Sequence, residues 1–184
     1  MSPLQLYHTV LRMDLAGTTP YERHQRVAAL LSKDRSAPRD YLFAVSDDEQ
    51  EVYVRSPEPR IKASGWREME LPRRGRVYRA SALLWIDASS FSERWRHLWR
   101  AGFAAEGRIR DWLSPAFEVA DLALSFEPSV ALGKPGVGRV YLTPIRMSAR
   151  VLVRDGRAAA HIAARGIGHG KAFGYGCVFF AQGG

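Results

Sequence analysis

The order strand, helix, strand, strand can be read twice along 184 residues. It predicts an α+β fold of two tandem ferredoxin-like units. Three observations carry this expectation. An alternating segment runs into a capped helix before residue 31. Two β-rich runs flank an acidic turn between 40 and 56. A second alternating segment near 76–87 then leads into another capped helix. The boundary falls near residues 72–76, giving expected domains 1–74 and 75–184.

Residues 3–14, "PLQLYHTVLRMD", alternate well enough for a strand. Thr19, Pro20 and Glu22 then supply an N-cap, a first helical position and the acidic partner of a Thr-x-x-Glu capping box. The helix should run to about Leu31. "DYLFAVSDDEQEVYVRS" reads as a hairpin. "EPRIKASGWREMELPRRG" is less regular, with room for a short helical turn and a closing strand.

In the second unit "RVYRASALLWID" reads as a strand. "SSFSERWRHLWRAGF" reads as a helix with a Ser90–Glu93 capping box and an apolar stripe of Trp95, Leu98, Trp99 and Phe103. "FEVADLALSFE" is ambiguous between helix and strand, and "SVALGKPGVGR" is a loop or hairpin tip. "VYLTPIRMSARVLVR" is a long strand in which Pro144 argues for an edge or a bulge. "DGRAAAHIAARG" is a short helix, and "YGCVFFA" a final strand.

Composition narrows the function classes. A chain that is 46% hydrophobic can bury a core. One cysteine, Cys177, excludes an intrachain disulfide framework and a cysteine zinc site, and fits a reducing cytoplasm. The N-terminal residues do not read as a signal peptide, and no apolar run approaches the roughly 18 residues of a membrane helix. Net charge is +8, and 23 of 27 basic residues are arginine, whose planar fork suits phosphate. From Arg60 to Arg110, 12 Arg and Lys stand against 5 Asp and Glu, most of the chain's excess. Such a tract favours a polyanion, nucleic acid first.

Five of the eleven residues in "GIGHGKAFGYG", Gly166–Gly176, are glycine. A P-loop fails here twice: Ala172 follows Lys171, and Arg165 occupies the first glycine position. A dinucleotide fingerprint joins strand to helix, whereas this stretch joins helix to strand. Two readings stay open: an anion-binding nest of backbone N–H groups with Lys171 adding charge, or a tight packing turn. Tyr21 and His24 share a helical face near an N-terminus, an end that favours phosphate. They also extend the apolar stripe of Val27, Ala28 and Leu31. None of the five histidines forms a His-Glu-x-x-His pair, so a metal hydrolase has no support.

"RGIGHGKAFGYGCVFFA" resembles the C-terminal glycine-rich loop of the CRISPR-associated repeat-RNA endoribonucleases. "PYERHQRVAALLSKDRSAPRDYLFAV" resembles the CasE-type subunit of the type I-E Cascade complex. In that family a tyrosine and a histidine stand three residues apart at the start of the first helix, and an Arg-Asp pair precedes an aromatic strand. Tyr21, His24, Arg39 and Asp40 match. The two stretches lie at opposite ends and cover about a third of the chain.

The resemblance implies tandem ferredoxin-like, RRM-related domains that cut precursor CRISPR RNA at the foot of a repeat hairpin. No metal or cofactor is expected. The hairpin product would be kept within a Cascade-type complex, among its backbone and other protein subunits, with no membrane partner. In metal-free cleavage the 2′-hydroxyl attacks the adjacent phosphorus, the 5′-oxygen leaves with a proton, and a 2′,3′-cyclic phosphate remains. On the family pattern His24 is the principal proton-transfer residue, Tyr21 contacts the phosphate or leaving oxygen, and Lys171 stabilises the phosphorane charge. Candidate RNA contacts are Arg23, Arg26, Arg39, Gly166, Gly168, His169 and Gly170. Arg96, Arg100, Arg108 and Arg110 form a possible backbone track, and Arg146 and Arg150, with Arg154, a second. The tryptophans of the second helix are expected in the core. Two other classes stay open: a non-catalytic RNA-binding subunit of the same assembly, and an unrelated RRM-type protein, for which no RNP-like signature is present.

Overall fold

The computed structural model describes residues 4–31, 40–59, 65–86, 98–134 and 137–183, with the backbone alone at 98–101, 133–134 and 137–141. The first sheet has the order β2-β3-β1-β4 and is antiparallel throughout. Its strands are β1 (Tyr7–Arg12), β2 (Leu42–Val45), β3 (Glu51–Ser56) and β4 (Arg67–Glu68). Helix α1 (Pro20–Leu31) crosses between β1 and β2. The second sheet has the order β10-β5-β9-β6, from β5 (Val77–Trp85), β6 (Phe117–Phe126), β9 (Pro144–Val153) and β10 (Phe179–Gln182). Helix α2 (Leu98–Leu113) joins β5 to β6, and α3 (Gly156–Arg165) follows β9. Renumbered within each unit, both sheets read 4-1-3-2, the ferredoxin-like order. The second unit adds a hairpin of β7 (Val130–Lys134) and β8 (Val137–Leu142), which reaches back to α1 of the first.

Local chemistry explains the elements. The Thr19 N–H donates to Glu22 Oε2 at 2.8 Å and the Glu22 N–H to Thr19 Oγ1 at 3.3 Å, the reciprocal capping box the sequence predicts. These bonds to Thr19 hold the Glu22 carboxyl below its ordinary pKa. Asp155 caps α3 by accepting from the Arg157 and Ala158 N–H groups at 2.8 and 3.0 Å. Val27 and Leu31 of α1 bury against Phe43, Val52 and Val54. Ala105, Ile109 and Leu113 of α2, with Ala159 of α3, bury against Leu84, Met147, Ala149 and Val151.

One ambiguity is resolved and three expectations change. The ambiguous segment is strand β6; its alternation breaks at a register shift between Ala120 and Ala123, where Asp121 takes φ 50°. The single long strand is two, β8 and β9, divided at Thr143. Pro144 opens a central strand, a position at which no ladder N–H is missed. Phe103 leaves the expected stripe and is 71% exposed, because the buried face of α2 runs through Ala105, Ile109 and Leu113. Trp95 and the Ser90–Glu93 box lie outside the described residues, and Leu98 and Trp99 are described only in backbone.

The helix-free sheet faces look toward each other across a cleft of about 570 Å³, lined by Val10, Ala44, Tyr53, Leu83, Ser148 and Phe179 among others. Asp47 and Arg146 bridge the two units beside it at 2.9 Å. No helix among the described residues is long and apolar enough to cross a membrane.

Candidate active site

The site forms where α1 of the first unit meets the loop that joins α3 to β10 in the second. The loop starts at the end of α3, where the Gly166 N–H donates to Ile162 O at 2.8 Å. It closes on itself when the Ile167 N–H donates to Gly176 O at 2.9 Å. Between these points Lys171–Phe173 form one 3-10 turn with Gly170 and Gly174 as left-handed caps. That turn packs on α1. The Phe173 ring stands edge-on to His24 with centroids 6.1 Å apart.

His24 and the turn that carries Lys171, some 150 residues apart in sequence, are thereby brought together. His24 is half-buried on the helical turn after the cap. Tyr21, one turn earlier on the same face, accepts a hydrogen bond from Gln25 Nε2 at 2.9 Å. Lys171 Nζ donates to Gly168 O at 2.7 Å, and burial lowers the lysine's pKa. An ammonium has three donors, so this contact leaves others for an incoming oxygen. His169 is exposed; its N–H donates to Trp85 O at 3.1 Å, and its ring lies edge-on between Trp85 and Trp112 at 6.3 and 6.2 Å.

The glycines have packing reasons. A Cβ on Gly166 would lie 2.3 Å from Gly176 O, and one on Gly176 would lie 2.2 Å from Ile167 O. Gly168 sits against Trp112, Gly170 against Trp85, and Gly174 against Phe43 of the other unit. All five have positive φ. The N–H groups of Gly166, Ile167, His169, Phe173 and Gly176 are spent on backbone carbonyls.

The arginine candidates are dispersed. Arg23 pairs with Glu49 and donates to Thr18 Oγ1 at 3.2 Å. Arg26 donates to Asp14 O at 3.1 Å. Arg108 is exposed on α2, while Arg110 pairs with Glu106 at 2.8 Å and donates to Val119 O at 3.1 Å. Arg146 meets Glu127 and Asp47 at 2.8 and 2.9 Å, Arg150 meets Asp121 at 3.0 Å, and Arg154 meets Glu118 at 2.6 Å. Arg39 and Arg96 lie outside the described residues, and Arg100 is described only in backbone.

Sequence reasoning misses Phe173. Its signal is present, an aromatic between small residues in the glycine stretch, but only the fold shows that it faces His24. It also misses Tyr175, which is buried beside Arg23; burial raises its pKa.

No protein-family model matches the sequence, and no curated protein matches it. Solved structures do. A CRISPR endoribonuclease, Cse3, bound to a 19-nucleotide RNA shares 16% identity at TM-score 0.69, over 97% of this chain and 100% of that one. A chain of a CRISPR RNA-guided surveillance complex shares 21% at TM-score 0.67, over 96% and 99%. Cas6e from Escherichia coli K-12 shares 16% at TM-score 0.66, over 97% and 99%. The tandem arrangement is therefore the fold of these proteins along its whole length, and it supports the CasE-type resemblance read from Tyr21, His24 and the glycine loop.

Proposed function

We propose that the protein is a metal-independent endoribonuclease that cuts precursor CRISPR RNA within its repeats, at the base of a hairpin. The observation that carries this reading is the contact of Phe173 with His24. It joins the two stretches that resemble the family, one from each unit. The first unit, residues 1–74, brings the proton-transfer helix, and the second, 75–184, brings the glycine loop.

The 2′-hydroxyl upstream of the scissile phosphate attacks phosphorus while its proton leaves, and the 5′-oxygen departs as it gains one. His24 handles the proton, because an imidazole exchanges protons near neutral pH. Tyr21 contacts the phosphate or the leaving oxygen. The Lys171 ammonium faces the charge that builds on the phosphorane. The products are a 2′,3′-cyclic phosphate and a 5′-hydroxyl. The hairpin stays bound, and the protein acts as a subunit of a Cascade-type complex in the cytoplasm. The fold shared with a chain of a surveillance complex supports that placement.

The test is a denaturing gel of the host's own repeat RNA incubated with protein in EDTA. Wild type should cut once per repeat. His24→Ala should cut roughly 10²–10⁴-fold more slowly, the usual worth of a positioned acid or base, with hairpin affinity little changed. Cleavage by His24→Ala at the wild-type rate removes His24 from the role. A wild-type protein that binds the hairpin and never cuts it leaves a non-catalytic RNA-binding subunit.

A further inference from the structure

Arg55 belongs to β3 of the first unit, is 1% exposed, and makes its hydrogen bonds in the second unit. Its Nη1 donates to Ala163 O at 2.6 Å and to Val178 O at 3.1 Å. Its guanidinium carbon lies 5.5 Å from the Tyr53 ring centroid and 5.8 Å from that of Phe179. Its Nε has no hydrogen-bond partner among the described residues. Burying a cation is costly, and a hydrophobic side chain of similar volume would often be as stable or more so. The arrangement therefore calls for a reason beyond stability.

The acceptors supply one. Ala163 lies three residues before Gly166, and Val178 two residues after Gly176. One nitrogen therefore ties both ends of the glycine loop to the sheet beneath α1. Ala163 is in the last turn of α3, where carbonyls lack intrahelical partners and carry the negative end of the helix dipole. In a longer helix the Ile167 N–H would reach Ala163 O; here it donates to Gly176 O, and Arg55 takes the vacated carbonyl. The Tyr53 and Phe179 rings, inclined 60° to each other, flank the guanidinium on its remaining side within cation–π range.

We infer that Arg55 is a positioning residue that sets the glycine loop, and Lys171 within it, against His24. The inference rests on the function proposed above, because it assigns Arg55 a part in that reaction. The two groups that must act together come from different units, and the described bonds between α1's sheet and the loop's ends run through this side chain.

The test compares Arg55→Met, which keeps the stem and removes the donors, with Arg55→Lys, which keeps charge and donors but lacks the flat fork. In Arg55→Met, amide hydrogen exchange across Gly166–Gly176 should speed up while that of β5 and β9 stays as in wild type. Single-turnover cleavage at saturating enzyme should fall on the order of 10²-fold, the scale of a 1 Å misplacement. Hairpin affinity should hold within about threefold, because many other cations bind the backbone. Arg55→Lys should recover part of the rate. Wild-type exchange in the loop, or wild-type cleavage by folded Arg55→Met, overturns the inference. Should Arg55→Met not fold, the same two readouts on Arg55→Lys decide: partial loosening and partial loss support it, and wild-type values in both overturn it. A wild-type protein that never cuts repeat RNA refutes the proposed function instead. The exchange arm, which needs no RNA, then still decides whether Arg55 sets the loop.

Discussion

Lys171 shows how packing and chemistry meet in a single side chain. Its Cγ lies where a Cβ on Gly176 would approach to 3.2 Å, so the glycine leaves room for its stem. Its Nζ is held on Gly168 O, and burial disfavours the charged form, so its pKa lies below the ordinary lysine value. The sign follows for both stability and rate. A depressed folded pKa means that the ammonium costs the fold stability below that pKa, a cost relieved as pH rises through it. In the proposed reaction the ammonium faces the phosphorane charge, so cleavage at subsaturating enzyme should fall on the alkaline side at a pH below that of an exposed lysine. Lys171→Ala should lose roughly 10²–10³ in rate, as removal of one oxyanion donor does, and its alkaline limb should be absent. A limb that persists unchanged in Lys171→Ala belongs to another group. At this scale the sequence exposes whatever is local. Thr19, Tyr21, Glu22 and His24 lie within one helical turn and a half, and a capping box is legible from spacing alone. Phe173 against His24 and Arg55 against Ala163 depend on approaches across more than 100 residues. Nothing in "EVYVRS" distinguishes Arg55 from a solvated strand arginine.

Among the elements, the glycine loop resolves toward packing without losing its place in the site. Gly166 and Gly176 touch across the loop's neck, and the backbone N–H groups there are already paired. The neck is therefore the sensitive point. Gly176→Ala should lower the thermal midpoint, because the new Cβ meets Ile167 O at 2.2 Å on a backbone at φ 82°. Gly107→Ala is the control. It lies on α2 with nothing within 4 Å of the new Cβ, and alanine favours a helix by about 1 kcal/mol over glycine, so the midpoint should rise. A Gly176→Ala protein as stable as wild type would mean that the neck yields. The same local-to-global divide explains the elements that sequence patterns misplace. A small residue such as Ala105 is outweighed by the aromatics before it, so Phe103 reads as part of the buried face of α2 although it is exposed. In β6 the bulge at Asp121 breaks a period-2 pattern in a segment rich in Ala and Leu. Pro144 reads as an edge signal because sequence does not say where one strand ends and a central one begins.

For the whole molecule the net charge of +8 must be assigned to surfaces, and the structure sorts the arginines by what they already touch. Arg146, Arg150 and Arg154 line up along and just past β9, and each faces a carboxylate: Asp47 and Glu127, Asp121, and Glu118. Exposed ion pairs contribute little to stability, yet they lower the positive potential that RNA would meet. Arg96 and Arg100 belong to the basic tract between 60 and 110. The salt dependence of hairpin binding separates the two tracks, because each phosphate left without its cation takes about 0.7–0.9 off the log–log slope. Replacing Arg96 and Arg100 with glutamine should flatten that slope by more than one phosphate's share. Replacing Arg146 and Arg150 should flatten it by less than one share, since cations already held by Asp47, Glu127 and Asp121 leave few phosphates unneutralised when they are removed. The reverse ordering would place the RNA along β9, where binding would have to displace Asp121 and Glu127 from their arginines. The paired double variants, titrated over the same salt range, decide between the two tracks without reference to cleavage.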